Sequence, residues 1–499
     1  MTSRRAQAGA ILLAVLSMAH VGSPDTFFAG KAGPYDVRVS VRLPGVIPGR
    51  AQVAIRAAGA DHVSVRAGQW NVGLKGAPPA ETALPVPGDP ALHAAELWFM
   101  TPSSYELFVG VDGPAGHGEA IVPVVALATA ERKMTPGLGL ILSGLAVFLT
   151  VGLLTIIGAA VRESVVSPGL EPDAVRRRRA RIGVAIAAVL AFLILWGGNR
   201  WWNAEASSYG RSVLYRPFAS QAAISATDQA GIPSQTLTLS IRDPRWTGEP
   251  LPTSRYNALL PDHGKLMHLF LVREPALDAM AHLHPIARTP QALDFDTRLP
   301  RLPAGHYRVY ADIVHESGYA QTLVASVDAP ANGGPRAPSS DPSDPDDSWM
   351  AGSAITESRS PAYIFEDGSR LVWARSDAPL TERAERLLEF SLQDAGGTTL
   401  AVDPYMGMAA HVVIASQDGS VFAHLHPSGS ISMAAFQKFS QTSTADPHAG
   451  HEMLAMPIDG RVAIPYAFPK AGQYRMWVQM KRNGQVKTAA FDADVGPGS

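Results

Sequence analysis

Apolar and polar residues alternate over short stretches along most of the chain, and Gly, Pro and Asp separate these stretches. Alternation of this kind is typical of half-buried β-strands, because successive side chains of a strand point to opposite faces. It recurs over residues 24–132, 203–330 and 350–499. Several short strands at close spacing favour an antiparallel sandwich. The pattern therefore predicts a mainly β protein with three immunoglobulin-like β-sandwich domains.

Two long apolar runs interrupt the strand pattern. Residues 135–161 contain no charged residue, and residues 182–202 form a second run that ends around Trp196, Trp201 and Trp202. About 20 apolar residues are enough for a helix to cross a bilayer, and Trp side chains favour its interfaces. We predict a hairpin of two transmembrane helices in contact with a lipid bilayer.

The segment between the two runs indicates their orientation. Residues 162–181 contain Arg176 to Arg179 and Arg181, and short loops rich in Arg remain in the cytoplasm. A polybasic run can also bind anionic lipid or nucleic acid, but its role in topology is sufficient here. We predict a protein of the bacterial inner (plasma) membrane whose N- and C-terminal domains are extracytoplasmic.

Two further segments lie outside the predicted domains. In residues 1–23, Arg4 and Arg5 precede an apolar run and then small residues, which is the pattern of a secretory signal peptide. An uncleaved N-terminal anchor is the alternative. Residues 331–349 are rich in Pro, Ser and Asp and bury little apolar surface, so we predict a linker there.

Composition excludes several classes of function. The formal net charge is -2 and charged residues make up 17% of the chain, so we expect no binding of nucleic acid. The sequence contains no cysteine, which excludes disulfides, iron–sulfur clusters, thiolate zinc sites and cysteine nucleophiles. Histidine, methionine and carboxylates are the metal ligands that remain.

The last two β regions are an internal repeat. "LTLSIRD" corresponds to "LEFSLQD", "GKLMHLFLV" to "GMAAHVVIA", "AMAHLHP" to "VFAHLHP", and "LPAGHYRVYADIV" to "FPKAGQYRMWVQM", in the same order. A duplicated fold explains this correspondence. We therefore expect two copies of one sandwich, with Tyr307 and Tyr474 at equivalent corners.

Each copy carries three histidines in the same pattern. Residues two apart in a strand share a face, so each His-Leu-His pair should project two imidazoles together, and a short connection brings a third from the preceding strand. Three converging imidazoles suit copper, with zinc as the alternative. The predicted ligands are His268, His282 and His284 in copy 1, and His411, His424 and His426 in copy 2.

Other residues near these trios are weaker candidate ligands. Thioethers would shift the preference towards Cu(I), although Met267 should point away from its neighbour His268 because strand residues alternate. The weaker candidates are His263, Met406, Met408, His448, His451 and Met453.

We predict a membrane-anchored extracytoplasmic protein that handles copper or zinc, and two alternatives compete with this function. Histidines in a sandwich can simply hydrogen-bond main-chain carbonyls, which would suit a structural or interaction protein of the cell envelope. A cupin-like metalloenzyme would need a later histidine, and His306 has Gln473 in its place in copy 2. No nucleophile elbow or phosphate loop occurs, so we expect no enzyme.

The stretch "HGKLMHLFLVREPALDAMAHLHP" followed by "LPAGHYRVYADIV" resembles the YtkA-like domains, which are extracytoplasmic β-sandwiches often encountered near bacterial copper and heavy-metal genes. "GPYDVRVSVRLPGVIPG" and "SYELFVGVDG" in the N-terminal domain are more distantly similar to FixH-like, CopC-related sandwiches. The whole chain resembles bacterial membrane proteins that carry such domains. This resemblance implies the histidine trios as metal ligands. The metal-handling role predicts an envelope metalloprotein or transporter as a partner.

Overall fold

The computed structural model describes residues 25–167, 169–229, 232–246, 258–289, 292–330, 344–355, 360–376, 378–442 and 458–498. These residues form two compact units. One unit joins the chain up to Leu127 with the chain from Arg216 onward, and the other is Ala128–Tyr215. The first contains the β regions and the second contains two long helices, so the predicted mainly β class is confirmed. The predicted signal segment, residues 1–23, lies outside the described residues.

The N-terminal domain is one continuous antiparallel sheet of eight strands in the order β1-β2-β3-β6-β5-β4-β7-β8. Its edges approach each other closely at a glycine: a Cβ on Gly118 would lie 2.1 Å from the carbonyl oxygen of Ala32. The sheet therefore curls around a core of alternating side chains. The strands are β1 (Thr26–Ala32), β2 (Tyr35–Arg42), β3 (Gly49–Ala57), β4 (His62–Gln69), β5 (Glu81–Val86), β6 (Asp89–Phe99), β7 (Ser103–Gly113) and β8 (Gly116–Ala126).

The second unit is a hairpin of two helices, α1 (Pro136–Glu163) and α2 (Ala174–Ser212). Both are long and apolar enough to cross a membrane. Gly158 lets them approach, because a Cβ there would lie 3.1 Å from Val184. The arginine run belongs to the first turns of α2 and not to the connecting loop. The carboxylate of Asp173 caps this helix by accepting a bond of 2.7 Å from the Arg176 amide.

Copy 1 of the repeat has two sheets that pack over a shared apolar core. The smaller has the order β14-β15-β10-β9, and the larger has the order β11-β16-β12-β13-β18 with β17 paired to β16. Its strands are β9 (Ser220–Gln229), β10 (Ile232–Ile241), β11 (Leu259–Leu260), β12 (His268–Arg273), β13 (Ala279–Leu283), β14 (Ile286–Ala287), β15 (Asp294–Arg298), β16 (Gly305–His315), β17 (Ala320–Ala329) and β18 (Ser348–Ala351).

Copy 2 has the same plan, with sheets in the order β19-β20-β22-β25 and β21-β27-β26-β23-β24. Its added helix α3 (Met433–Thr442) packs on β8 of the N-terminal domain. The strands are β19 (Ala362–Ile364), β20 (Arg370–Trp373), β21 (Leu380–Thr381), β22 (Arg386–Gln393), β23 (His411–Ser416), β24 (Phe422–Leu425), β25 (Arg461–Tyr466), β26 (Gly472–Arg482) and β27 (Gln485–Gly496).

Strand pairing follows the same register in both copies. His268 lies opposite Asp312 between β12 and β16, and His411 lies opposite Gln479 between β23 and β26. The sandwich corners are equivalent as well, because the hydroxyls of Tyr307 and Tyr474 each donate a bond of 2.7 Å to the carbonyl four residues earlier. The repeated sequence thus forms a repeated structure.

The larger sheets of the two copies pack face to face. Phe270 and Tyr310 of copy 1 share an apolar cluster with Val413 and Phe422 of copy 2, and the rings of Tyr310 and Phe422 stack at 4.0 Å. Alternate residues of β12, such as Leu269 and Leu271, point into the core of copy 1 instead. Each strand of this interface therefore serves two cores, one on each face.

The predicted linker comprises residues 331–349, and its end, from Asp344 onward, is part of the fold. Strand β18 adds to β13 at the edge of the larger sheet of copy 1, with Ser348 opposite His282. The acidic turn before it, from Asp344 to Asp347, is hydrogen-bonded internally. A polar composition suggested a linker, but here the carboxylates are acceptors for buried donors. Residues 331–343 lie outside the described residues.

Candidate metal centre

Seven buried histidines from both copies meet between the two larger sheets. Strand alternation places the histidines of the strands on the interface face, since His268 shares its face with Phe270 while Met267 points into the core of copy 1, as predicted. The pairing of Phe270 with His282, and of Val413 with His424, brings the equivalent strand ends together. The cluster consists of His263, His268, His282, His284, His411, His424 and His426.

The copy 1 trio converges as the sequence predicted. Ligand nitrogens of His268, His282 and His284 all lie within 4.8 Å of one another. Nδ1 of His268 lies 3.2 Å from Nε2 of His282. Two nitrogens bound at about 2.0 Å to a tetrahedral ion lie about 3.3 Å apart, so this spacing already suits a metal ion.

The other nitrogen of each imidazole in this trio is hydrogen-bonded outside the cluster. His268 Nε2 lies 3.2 Å from the carbonyl oxygen of Asp262, and His284 Nδ1 lies 3.0 Å from Oδ1 of Asp347. His282 Nδ1 lies 2.9 Å from Oε1 of Gln479. We call the hydrogen-bonded nitrogen of each ring its outer nitrogen and the other its inner nitrogen. When the outer nitrogens donate these bonds, the inner nitrogens of the neutral rings carry lone pairs that face one another. A cation among them would remove this repulsion.

The second group differs from the predicted copy 2 trio. The ligand nitrogens that come within 4.8 Å of one another belong to His411, His426 and His263. His263 comes from copy 1, on a left-handed turn residue (φ 52°) that is followed by Gly264 (φ 80°). His424 is adjacent, with its ring 4.6 Å from that of His426, but it is not a member of this group. His263, which the sequence indicated only as a weaker candidate ligand, thus belongs to a group shared by the two copies.

His424 is oriented by a residue of the other copy. Its Nδ1 lies 3.2 Å from Oδ2 of Asp312, just as His282 of copy 1 contacts Gln479 of copy 2. Asp312 and Gln479 occupy equivalent positions in their strands. The two contacts are therefore reciprocal, and they make the face-to-face packing a condition for the orientation of both rings.

Several cluster nitrogens have no hydrogen-bond partner. An unpaired buried polar atom costs about 1–3 kcal/mol, and such atoms in native structures often mark an ion site. Metal-binding histidines typically have one nitrogen anchored and the other free, an arrangement that His284, His424 and His426 share. Among the described residues, the unpartnered buried atoms include Nε2 of His263, His284, His424 and His426 and both nitrogens of His411.

The environment favours the neutral form of five of the cluster imidazoles. Burial, and next the neighbouring histidines, hold the pKa values of His268 and His411 well below their usual range. The same causes lower the pKa values of His282 and His426. Burial also lowers the pKa of His263, although Asp262 opposes this. Neutral imidazoles have lone pairs available, which metal binding requires.

Four residues beside the cluster escaped the sequence analysis. Asp347, assigned to the linker, is buried against His284 and forms a third possible metal group with His284 and Asp344. Burial raises the pKa of Asp344, but the hydrogen bonds from Lys265 and the Asp346 amide together with nearby positive charge outweigh burial, and the pKa is lowered. Gln479 contacts His282, and the hydroxyl of Tyr405 lies 3.4 Å from the same ring. No local sequence pattern marks any of these residues.

The remaining candidates are placed as follows. Met406 and Met408 lie in the copy 2 turn at the positions of His263 and Lys265, and both are buried. His448, His451 and Met453 lie outside the described residues. His306, which the cupin-like reading required, is half exposed and its Nδ1 lies 2.8 Å from Asp328. The cluster therefore forms without His306.

The histidine groups could hold metal ions by their chemistry. Each offers three imidazole nitrogens in a buried setting, and carboxylates lie at their outer side. Imidazole ligands suit copper, zinc, iron and nickel. The sequence supplies no thiolate, so nitrogen donors would dominate the coordination.

Comparison with known proteins gives one family match. A family model described as a domain of unknown function (DUF8832) matches residues 226–330 and 366–496, which are the two copies of the repeat. No curated protein matches the chain.

Several solved structures have low similarity to the chain. They include a tetra-tandem repeat in the extending region of a large adhesion protein, with 9% identity over 92% of this chain and 74% of that one, and a TM-score of 0.15. The FN1–FN3 domains of chicken CNTN1 have 9% identity over 94% of this chain and 98% of theirs, with a TM-score of 0.12. The D1–D4 fragment of ICAM-5 has 9% identity over 91% and 74%, with a TM-score of 0.13.

Proposed function

We propose that this chain is a membrane-anchored extracytoplasmic protein that binds a transition-metal ion through its histidine cluster and presents it to a partner in the cell envelope. The observation that carries the proposal is the arrangement of the imidazoles. His284, for example, has Nδ1 anchored on Asp347 while its Nε2 is buried and unpartnered among the other rings. This orientation matches that of ligating histidines, whose outer nitrogen donates to a carboxylate or carbonyl.

Copper is the metal we propose first, and zinc is the alternative. Sites built of nitrogen donors bind Cu(II) more tightly than Zn(II) according to the general order of divalent affinities. The buried thioethers of Met406 and Met408 belong to a turn beside the cluster, and Met406 hydrogen-bonds His263 through its backbone. Soft ligands of this kind would favour Cu(I).

The membrane setting rests on the two helices and their arginines. Helices α1 and α2 are both long and apolar enough to span a bilayer, and the arginine run at the start of α2 favours the cytoplasmic side. We propose that the β unit lies on the opposite side of the inner membrane. A reporter enzyme that is active only outside the cytoplasm, fused after Gly498, should be active in cells. An inactive reporter would indicate the opposite topology.

Metal content of the purified chain tests the binding proposal. The full chain in detergent, stripped with a chelator and then dialysed against Cu(II) or Zn(II), should retain metal measured by mass spectrometry. The double variant His268→Ala and His282→Ala should lose at least the copy 1 site. The half-exposed His306 supplies the matched control, since His306→Ala removes a histidine of β16 outside the cluster.

The alternative is a structural or interaction protein whose histidines only hold the two copies together. The cross-copy contact of His282 with Gln479 would serve that role as well. Negligible metal retention by the unaltered chain, together with a lower unfolding temperature for the double variant, would favour this alternative.

A further inference from the structure

We infer that the histidine cluster is a two-ion centre, with one ion held within copy 1 and a second held between the copies by His263, His411 and His426. This inference rests on the proposed function and specifies its stoichiometry. The two sets share no residue, and each brings its three ligand nitrogens within 4.8 Å of one another. The sequence repeat alone would instead assign one site to each copy.

The second site is complete only when both copies are in place. His411 and His426 come from copy 2, and their rings lie 4.9 Å apart. The ring of His263, from copy 1, lies 5.4 Å from His411 and 5.3 Å from His426. Met406 holds the equivalent turn position in copy 2 with nearly the same backbone angle (φ 51° against 52°). The exchange of methionine for histidine at this turn breaks the symmetry of the repeat and supplies the third imidazole.

Each set has a buried carboxylate beside it. Asp347 contacts His284 of the first set. Asp262 lies 4.0 Å from Nε2 of His263 in the second set, and its Oδ1 also accepts a bond of 2.7 Å from the Ala434 amide. Bringing a cation into a buried site is costly unless a negative charge compensates it. Two separate carboxylates therefore suit two separate cations.

The two sites are neighbours. The rings of His263 and His268 lie 6.0 Å apart, and those of His282 and His411 lie 6.2 Å apart, so each pair joins the two sets. Two cations bound in such neighbouring sites would repel each other, because the charges interact through a partly dehydrated interior. The second ion should consequently bind more weakly than the first.

His424 lies between the two sets. Its ring is 5.4 Å from His268 of one set and 5.4 Å from His411 of the other. Nδ1 of His424 is hydrogen-bonded to Asp312, so the unpartnered Nε2 is the atom of His424 that is available as a ligand. A single nitrogen can complete the coordination of one ion at a time. His424 therefore lies beside both sets without belonging to either of them.

Metal counting on the full chain in detergent tests the inference. The metal-free protein, titrated with Cu(II) and then freed of excess metal, should retain two ions per chain. His263→Asn should reduce this to one, because asparagine tolerates a left-handed backbone but removes the imidazole. His306→Ala is the control and should retain two. One ion in both the unaltered chain and the His263 variant overturns the two-ion centre but leaves the proposed function; no ion in the unaltered chain overturns the proposed function itself.

Electron paramagnetic resonance supplies a test that needs no variant. Two Cu(II) ions in neighbouring sites should give the broadened and half-field signals of a coupled pair. The unaltered chain loaded to saturation should show these signals, whereas partial loading should show mainly isolated Cu(II). Spectra of isolated Cu(II) at full loading would overturn the two-ion centre.

Discussion

Nδ1 of His282 lies 2.9 Å from Oε1 of Gln479, so a histidine of one copy of the repeat is oriented by an amide of the other. Gln479 also donates through Nε2 to Ser348 and Thr488, which fixes its oxygen towards the imidazole. The equivalent contact in the opposite direction joins His424 to the carboxylate of Asp312. The histidine cluster is therefore a product of how two duplicated sheets pack, and two of its rings, those of His282 and His424, are oriented by the opposite copy.

Replacement of Gln479 by leucine should destabilise the protein. The variant keeps the size of the side chain but leaves the buried Nδ1–H of His282 with only the hydroxyl of Tyr405, 3.4 Å away, as an acceptor. Loss of the shorter bond should cost about 1 kcal/mol or more of unfolding free energy. Urea unfolding followed by tryptophan fluorescence measures the change. Gln473→Leu, on the same strand but only partly buried, is the control and should change stability little. Equal effects of the two substitutions would contradict the role of the contact.

Replacement of Asp347 by asparagine should weaken metal binding. The carboxylate orients His284 and increases the basicity of its imidazole, and loss of such a partner typically lowers metal affinity by about 10–100-fold. Competition with a chelator of known affinity measures the effect. Asp328→Asn removes the carboxylate partner of the half-exposed His306 and should leave the affinity unchanged. An unchanged affinity in the Asp347 variant would show that this carboxylate does not support the site.

Acid should destabilise the metal-free protein. The pKa values of His268, His282, His411 and His426 are lowered in the folded state by burial and by one another. The unfolded chain therefore takes up more protons below about pH 6.5, and the unfolding free energy should decrease as the pH falls through that value. Unfolding temperatures of the metal-free protein at several pH values measure this. A flat profile between pH 8 and pH 5 would contradict neutral buried imidazoles.

Glu106 should have the opposite pH dependence. It is buried on β7, and burial raises its pKa to about 7 while Lys438 opposes the shift. A carboxyl whose folded pKa is raised loses its contribution to stability as the pH rises from about 4.5 to 7. Glu106→Gln should therefore raise the unfolding temperature at pH 8 and change it little at pH 4. The exposed Glu119 provides the control variant Glu119→Gln, which should have no effect at either pH.

The sequence determined the parts of this protein that depend on local pattern. Alternation of apolar and polar residues specified the strands, and it placed His268, His282 and His284 on one face while it sent Met267 to the other. The apolar lengths of α1 and α2 specified two candidate spans. The repeated motifs specified a duplicated sandwich.

Only the tertiary structure decided which imidazoles meet. A strand pattern fixes the face on which a side chain lies but not what packs against that face, because packing joins segments that are far apart in the chain. The partnership of His263 with His411 and His426, and the carboxylate of Asp347 behind His284, arise from the docking of the two larger sheets and from one left-handed turn. These contacts depend on distances between elements, and the period of a strand carries no information about such distances.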